Sequence, residues 1–240
     1  MKKIFQFSIF NFQVIKKICL LVLVLVLVLM LGVGAGLHVD AKGVESVVAS
    51  AKKKKVQPQE SANAQQARHM FMQTWQRVFN NQGASLHYKV NIANLYKTEG
   101  TIWYKGKKSK YFSKNSNCWN DGVTSYVTRE KRRVVEIHDA KEKSKYEEKF
   151  SFEPDNYTYG IARQQDGFLI TLKAKKGVSG VKEAKVLLDL ATHNPKKIRI
   201  KVAFLWATIN ISNFYSGDID DDVFVFPRGK YAGYKFVDER

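Results

Sequence analysis

Residues Pro195–Ala207, which read PKKIRIKVAFLWA, carry the main sequence evidence on the fold. From Lys197 to Val202, charged and apolar residues alternate, and the apolar residues Phe204 and Trp206 continue the same period of two. A period of two is typical of a β-strand with one face in water and one apolar face. We therefore predict a single strand across this stretch. The function of the chain depends on that apolar face, which is either ordinary core or a surface that holds a ligand.

The composition of the 240-residue chain fits one sizeable globular domain together with a targeting segment. Hydrophobic residues make up 45% of the sequence, which is enough for a real core and excludes a globally disordered chain. The formal net charge of +18 favours anionic partners such as phospholipid headgroups, nucleic acid or an acidic protein.

The N-terminus has the pattern of an export signal. A basic leader precedes an uncharged apolar run from Ile18 to Leu37, which is long enough to span a bilayer and also fits a long signal-peptide core. Small residues at the end of this run favour cleavage, after Ala41 or Ala35, over a retained anchor. We predict a signal peptide (1–41), a basic linker (42–60) and a folded exported domain (61–240).

Two further features belong to this picture of an exported protein. The basic run Lys52–Lys55 is predicted to be solvated charge, although it would be attracted to anionic lipid if the apolar run stayed in the membrane. After cleavage Cys118 is the sole cysteine, so no intramolecular disulfide can form. A lone cysteine is usually a small buried apolar residue, and we predict that role here.

The clearest helix is predicted over 61–81, with Ser61 as its N-cap and Gly83 as its terminator. Apolar residues recur in it at steps of three and four, which predicts one buried stripe. The members of this stripe are Ala67, Phe71, Trp75, Val78 and Phe79. A second helix is predicted over 139–152, where the strand pattern is interrupted.

From Ser85 onward the period changes to two. Short strands are separated by turn signals such as Asn120–Gly122 and Asp166–Gly167, and VFVFP (223–227) is predicted as the last strand. Tight turns favour antiparallel pairing, because parallel pairing needs long crossovers. The sequence therefore predicts a mainly β fold with α-helix, in which one long curved meander sheet packs against a helix or two.

Motifs for catalysis or metal binding are weak. GTIWYKGK has the wrong spacing for a phosphate loop, and H-E-x-x-H and G-x-S-x-G do not occur. Asp218, Asp220 and Asp222 are spaced like the start of a calcium loop, but Val223 stands where the glycine is required. Interleaved aromatic and basic residues fit a two-faced strand better than a nucleic-acid surface. We predict no enzymatic activity, no cofactor, no metal and no nucleic-acid partner.

The order of elements resembles that of the LolA-like proteins, the periplasmic carriers of outer-membrane lipoproteins, and most closely their divergent lipoprotein-chaperone branch. The resemblance runs from about Ala64 to Arg240 and rests on EGTIWYKGKKSKYF, WNDGVTSYV and VFVFPRGKYAGYKFVDER in that order. It implies an unclosed antiparallel β-barrel with lid helices on its concave apolar face, and reversible binding of lipoprotein acyl chains. It further implies an inner-membrane donor complex and an outer-membrane acceptor as partners; we expect a monomer.

The chain departs from this family at the lid latch. The better-known carriers have an Arg-Pro pair just after the strand that carries Trp103, and the arginine helps to latch the lid. Gly106 and Lys107 stand at the corresponding positions here. The resemblance therefore does not say how a lid would be held.

An apolar sheet face that is larger than its covering helices can fill becomes a ligand pocket. On this hypothesis the helix with Phe71, Trp75 and Phe79 is the lid, and the basic outer face approaches an anionic membrane surface or an acidic partner. The candidate lipid-binding residues are Leu86, Tyr88, Val90, Ile92, Trp103, Phe168, Ile170, Leu172, Val186, Leu188, Ile198, Ile200, Val202, Phe204 and Trp206. Two other functions stay open: a module that binds or senses free lipid or glycolipid, and a membrane-anchored scaffold whose sheet face is solid core.

Overall fold

The computed structural model describes residues 60–94, 96–113, 116–140, 153–178, 181–202 and 205–240. In these residues one α-helix, α1 (Ala62–Val78), packs on a single curved sheet that does not close. The strands are β1 Ala84–Ile92, β2 Tyr96–Lys105, β3 Lys108–Ser113, β4 Ser116–Asn120, β5 Thr124–Arg129, β6 Val134–Asp139, β7 Tyr157–Gln164, β8 Gly167–Ala174, β9 Glu183–Leu188, β10 Pro195–Val202, β11 Leu205–Ser216 and β12 Lys235–Asp238.

The strand order across the sheet is β12-β6-β5-β4-β3-β2-β1-β11-β10-β9-β8-β7. Neighbouring strands are antiparallel, except that β12 pairs with β6 in parallel. The predicted mainly β fold, with an unclosed and largely antiparallel sheet, is confirmed. The predicted leader and linker lie outside the described residues, as does the predicted second helix beyond Ala140.

The helix α1 confirms the clearest local prediction. It begins at the predicted N-cap, where the Ser61 hydroxyl accepts a hydrogen bond from the Ala64 N–H at 3.3 Å. It ends before the predicted terminator, with Phe79 as its C-cap. Gly83, at φ +115°, instead lies in the turn that leads into β1.

The stretch 195–207 is a hairpin, so the prediction of one strand running to Trp206 is wrong. Val202, the last residue of β10, pairs with Leu205, the first residue of β11. Residues that oppose each other in antiparallel strands share a face. The reversal therefore places Trp206 opposite Lys201, on the charged face. Sequence alternation missed the turn because positions 203 and 204 carry none of the Gly, Pro, Asn or Asp residues that mark hairpins.

The two faces of the sheet are covered at opposite ends. The helix α1 lies on the inner face of β1, β2 and β7–β11, where its apolar side chains join two core clusters. The segment that follows β11 covers the other face of β3–β6. There the ring of Trp119, 2% exposed, packs against Phe226 and Tyr231 with centroid distances of 5.3 and 5.7 Å. The sheet is therefore shared between two separate cores.

The predicted strand VFVFP is wrong, and the reason is local. The carboxylate of Asp220 accepts a hydrogen bond from the Asp222 N–H at 3.0 Å and starts a 3₁₀ turn over Asp221–Phe224. Phe224 is buried there, whereas Val225 is 60% exposed. The phenylalanines of this alternating segment therefore pack into a core, although the segment forms no strand.

Gly100, one of the residues that carried the resemblance, is required by a close approach. A Cβ atom at this position would lie 2.0 Å from the Phe112 carbonyl oxygen and 2.7 Å from the Tyr88 hydroxyl. The Phe112 carbonyl belongs to the sheet and cannot move away alone.

We expect Gly100→Ala to lower the free energy of unfolding by about 3 kcal/mol in urea denaturation. Gly229→Ala, which meets nothing within 4 Å, is the control and should change it by less than about 0.5 kcal/mol; similar losses in both would contradict this explanation.

Candidate functional site

An apolar cavity lies between α1 and the inner face of the sheet. Its volume is about 90 Å³. The helix supplies one wall, and β1 with β7–β11 and their connections supply the rest. The lining residues are Phe71, Thr74, Trp75, Val78, Phe79, Leu86, Tyr157, Leu172, Val181, Ala184, Val186, Pro195, Ile198, Ile200, Ile209 and Ile211.

The wall formed by α1 is a row of aromatic rings. The ring centroids of Phe71 and Trp75 are 6.0 Å apart, and those of Trp75 and Phe79 are 4.5 Å apart. The row reaches the sheet at both ends, through Tyr159 at 6.0 Å from Phe71 and Tyr104 at 5.2 Å from Phe79. These spacings follow from residues at i, i+4 and i+8 on one helix face.

The polar groups of the cavity wall are bonded within the protein. The Thr74 hydroxyl donates to the Met70 carbonyl at 3.0 Å, and the Tyr157 hydroxyl donates to the Val181 carbonyl at 3.2 Å. Burial raises the pKa of the Tyr157 phenol, which stays neutral. The cavity therefore suits hydrocarbon and offers no charge to a headgroup.

The cavity is too small for a lipid as it stands. Its volume of about 90 Å³ is below the roughly 150 Å³ of an apolar cavity that holds benzene and the roughly 300–1,000 Å³ of ordinary ligand sites. An acyl chain would enter only if the helix moved away from the sheet. The structure thus shows the covered form of the site.

The predicted site residues fall into several groups in the structure. All three predicted lid residues, Phe71, Trp75 and Phe79, line the cavity. Five predicted sheet residues line it as well: Leu86, Leu172, Val186, Ile198 and Ile200. Six others lie in the two core clusters of the same face but do not reach the cavity: Tyr88, Val90, Ile92, Phe168, Ile170 and Leu188. Phe204 lies outside the described residues, and so does the side chain of Val202.

Two predicted residues lie on the opposite face of the sheet. Trp103 alternates with the buried Ile102 and points away from α1, with its ring 5.7 Å from that of Phe112. Trp206 is turned to the outer face by the hairpin that precedes it. Neither residue touches the cavity, so we do not retain them in the proposed lining.

Sequence reasoning missed several cavity residues. Ile209 and Ile211 alternate in β11 and would have been assigned correctly had the hairpin been recognised. Val181 and Pro195 lie outside or at the start of strands, where periodicity gives no signal. They reach the cavity only because β9 and β10 are placed beside α1 by the fold.

The N-terminal end of α1 is fastened to the edge strand β7 by a side-chain amide. Asn63 donates from Nδ2 to the Ile161 carbonyl at 2.9 Å and accepts from the Ile161 N–H at 3.0 Å. The amide thus pairs with the free edge as a neighbouring strand would. Arg68 adds an ion pair with Asp155 on the segment before β7.

The C-terminal end of α1 is fastened by an arginine. Arg77 donates to the Thr192 carbonyl at 3.2 Å and to the Asn194 side-chain oxygen at 2.6 Å, both in the turn between β9 and β10. The turn at Gly106, where the known carriers have their latch, contacts Asn80, two residues after α1: the Gly106 N–H donates to the Asn80 carbonyl at 3.0 Å. Polar contacts at the two ends of the helix therefore add to its apolar packing on the sheet.

Cys118 and two carboxylates of the acidic turn have partners in the structure. Cys118 is buried, its thiol lies 3.3 Å from the Ser125 hydroxyl, and burial raises its pKa to about 11. The acidic turn is paired with lysine: Lys105 lies 3.1 Å from Asp221 and 3.6 Å from Asp218. Over the described ranges, no cluster of three or more His, Cys, Asp or Glu residues is placed to hold a metal. Within the same ranges no helix combines the length and apolarity needed to cross a bilayer.

The chain matches no protein-family model and no curated protein. Solved structures resemble it in fold. An uncharacterised conserved protein from Thermus thermophilus is 7% identical with a TM-score of 0.50, covering 72% of this chain and 99% of that one. A putative outer membrane lipoprotein-sorting protein domain from Vibrio parahaemolyticus is 11% identical with a TM-score of 0.37, covering 70% and 99%. A LolA superfamily protein from Nitrosomonas europaea is 8% identical with a TM-score of 0.32, covering 70% and 100%.

The sequence predicted a resemblance to LolA-like proteins, and a lipoprotein-sorting protein domain and a LolA superfamily protein are among the solved structures to which this chain is similar. At 7% identity and a TM-score of 0.50, the likeness to the Thermus thermophilus protein shows a common fold and nothing about ligands or partners. Function must therefore be argued from the cavity itself.

Proposed function

We propose that this protein is a non-enzymatic carrier that is exported to the periplasm, binds the acyl chains of lipoproteins under α1 and delivers them towards the outer membrane. The observation that carries the proposal is an apolar cavity beneath α1, a helix whose two ends are fastened by polar contacts. The apolar space beneath the aromatic row of this helix supports a cover over a binding site.

The energetics require a cover of this kind. Burying one methylene group is worth about 0.8 kcal/mol, so a sixteen-carbon chain gains about 12 kcal/mol. That gain corresponds to nanomolar affinity before the costs of binding are subtracted. A carrier must release its cargo, and the displacement of α1 on loading offsets part of the gain. The aromatic row of the helix returns to the sheet when the chain leaves.

Native mass spectrometry of the protein isolated gently from its own envelope fraction tests this function. We expect a fraction of the protein to carry the mass of an acylated peptide or lipoprotein, because the loaded form buries more hydrocarbon than the empty form. Adducts of free lipid alone would contradict the lipoprotein cargo and favour a lipid-binding or lipid-sensing module. A mass that stays unliganded after incubation with lipoprotein would refute the carrier and favour a scaffold with a solid core.

A further inference from the structure

The outer face of β1, β2 and β8–β11 is a second surface that the proposed carrier function does not use. It lies opposite α1, and the C-terminal segment covers a different part of the sheet, β3–β6. Strand register places the side chains of this face together, because directly opposed residues in antiparallel strands share a face. We call this surface the outer basic face.

Charge on the outer basic face is strongly one-sided. Outside the part covered by the segment after β11, where Lys105 pairs with Asp221, the described strands contribute seven cations to it: Lys89, Lys97, Lys173, Lys185, Lys197, Arg199 and Lys201. Two carboxylates oppose them, and each is already paired: Glu99 with Lys89 at 3.3 Å and Glu183 with Lys185 at 3.5 Å. Within the described residues the other five cations form no ion pair. A net charge of +5 is therefore presented to solvent.

Trp206 lies in the middle of these charges. Arg199, Lys185 and Lys201 approach its ring centroid to 4.7, 5.4 and 6.0 Å. The ring is partly exposed on a face where neighbouring side chains are long and charged. Tryptophan prefers the boundary between water and lipid, where its apolar ring and its polar N–H are both accommodated.

A shallow groove continues this face across β1 and β2. Its volume is about 420 Å³, and it is lined by Lys89, Asn91, Lys97, Glu99 and Asn210 among others. These amide and ammonium groups are donors that suit phosphate oxygens. The groove thus offers polar space for headgroups next to the tryptophan.

We propose that the outer basic face docks this protein onto an anionic phospholipid surface. Composition favours lipid over an acidic protein: six of the seven cations are lysines, which are depleted in specific protein interfaces, whereas arginine is enriched there. Diffuse lysine charge is what anionic lipid attracts. Docking on this face leaves α1 on the side away from the bilayer, so the helix stays free to move.

Vesicle co-sedimentation tests the proposal with the triple variant Lys197→Gln/Arg199→Gln/Lys201→Gln. Removing three cations should lower the partition coefficient on vesicles that contain about one third phosphatidylglycerol by about 100-fold, at about fivefold per charge. A matched control, Lys131→Gln/Arg132→Gln/Lys235→Gln, removes the same charge from exposed positions at the other end of the sheet. It should lose less than about threefold. All proteins keep the same N-terminal segment, so its contribution cancels in the comparison.

Three further measurements locate the contact and decide the occupant. Brominated phospholipid should quench tryptophan fluorescence in the wild type, and Trp206→Phe should remove most of that quenching. Arg199→Lys should keep binding, and raising the salt to about 0.5 M should weaken it.

Equal losses in the two triple variants would overturn the proposal, because net charge alone would then explain binding. Partitioning of the wild type that did not depend on phosphatidylglycerol would also overturn it and would leave an acidic protein as the occupant.

Discussion

Cross-linking α1 to the turn between β9 and β10 is expected to abolish acyl-chain uptake. The variant Arg77→Cys/Asn194→Cys replaces two side chains that are joined by a 2.6 Å hydrogen bond, and a short bifunctional maleimide would tie them covalently. With α1 fixed, the site keeps a cavity of about 90 Å³. We expect uptake of a fluorescent fatty-acyl lipopeptide to fall at least about 100-fold, because the open form can no longer be populated.

The control for this cross-link is a second one that does not involve the helix. Asp166→Cys/Lys196→Cys joins the β7–β8 turn to the start of β10, where the Lys196 ammonium now donates to the Asp166 carbonyl at 3.0 Å. It should leave uptake unchanged. Both variants carry Cys19→Ser, and buried Cys118, whose thiol pKa is raised to about 11, should not react. Undiminished uptake after cross-linking of α1 would show that the helix is fixed core and not a lid.

Sequence periodicity predicted the inner face well where a strand has apolar residues on one side only. The first strand is such a case: Leu86, Tyr88 and Val90 alternate with polar residues, and the structure buries all three. The next strand has three consecutive apolar residues, 102–104, so its period could not decide which of them faces α1. The structure turns Ile102 inward and Trp103 outward.

The prediction that Trp206 faces the cavity failed for a different reason, which is the number of residues in the connection before it. A two-residue connection between paired strands puts the residue after the turn on the face of the residue before it, whereas continued alternation would put it on the other face. Without a turn signal, the sequence does not distinguish one continuous strand from two strands joined by a two-residue connection. One unrecognised hairpin thus moved Trp206 from the predicted lipid pocket to the outer basic face.

The contacts that hold α1 could not be predicted from the sequence at all. Asn63 and Ile161 are 98 positions apart, and Arg77 and Asn194 are 117 positions apart. Nothing local marks an asparagine near a helix start as the partner of a distant strand edge. Such contacts follow from the curvature of the sheet, which brings β7 and the β9–β10 turn to the two ends of the helix.

Removing both of these contacts should make the protein less stable and a better ligand binder at the same time. The double variant Asn63→Ala/Arg77→Ala deletes four hydrogen bonds between the helix and the sheet. At about 0.5–1.5 kcal/mol each, we expect a loss of about 3 kcal/mol in the free energy of unfolding. The same free energy no longer opposes lid displacement, so the apparent affinity for an acyl chain should rise by up to about 100-fold.

The opposite signs of these two effects are what distinguish a lid from a core helix. If α1 were core, loosening it would lower stability and ligand affinity together, because the ligand would need the intact packing. Lys196→Ala removes a comparable surface hydrogen bond on the β9–β10 side without touching α1, and it should leave affinity unchanged. Urea denaturation and titration with a fluorescent acyl probe measure the two quantities on the same samples. A double variant that loses affinity in proportion to its stability would refute the lid, whereas higher affinity in a weaker fold would show that the helix holds the cavity shut.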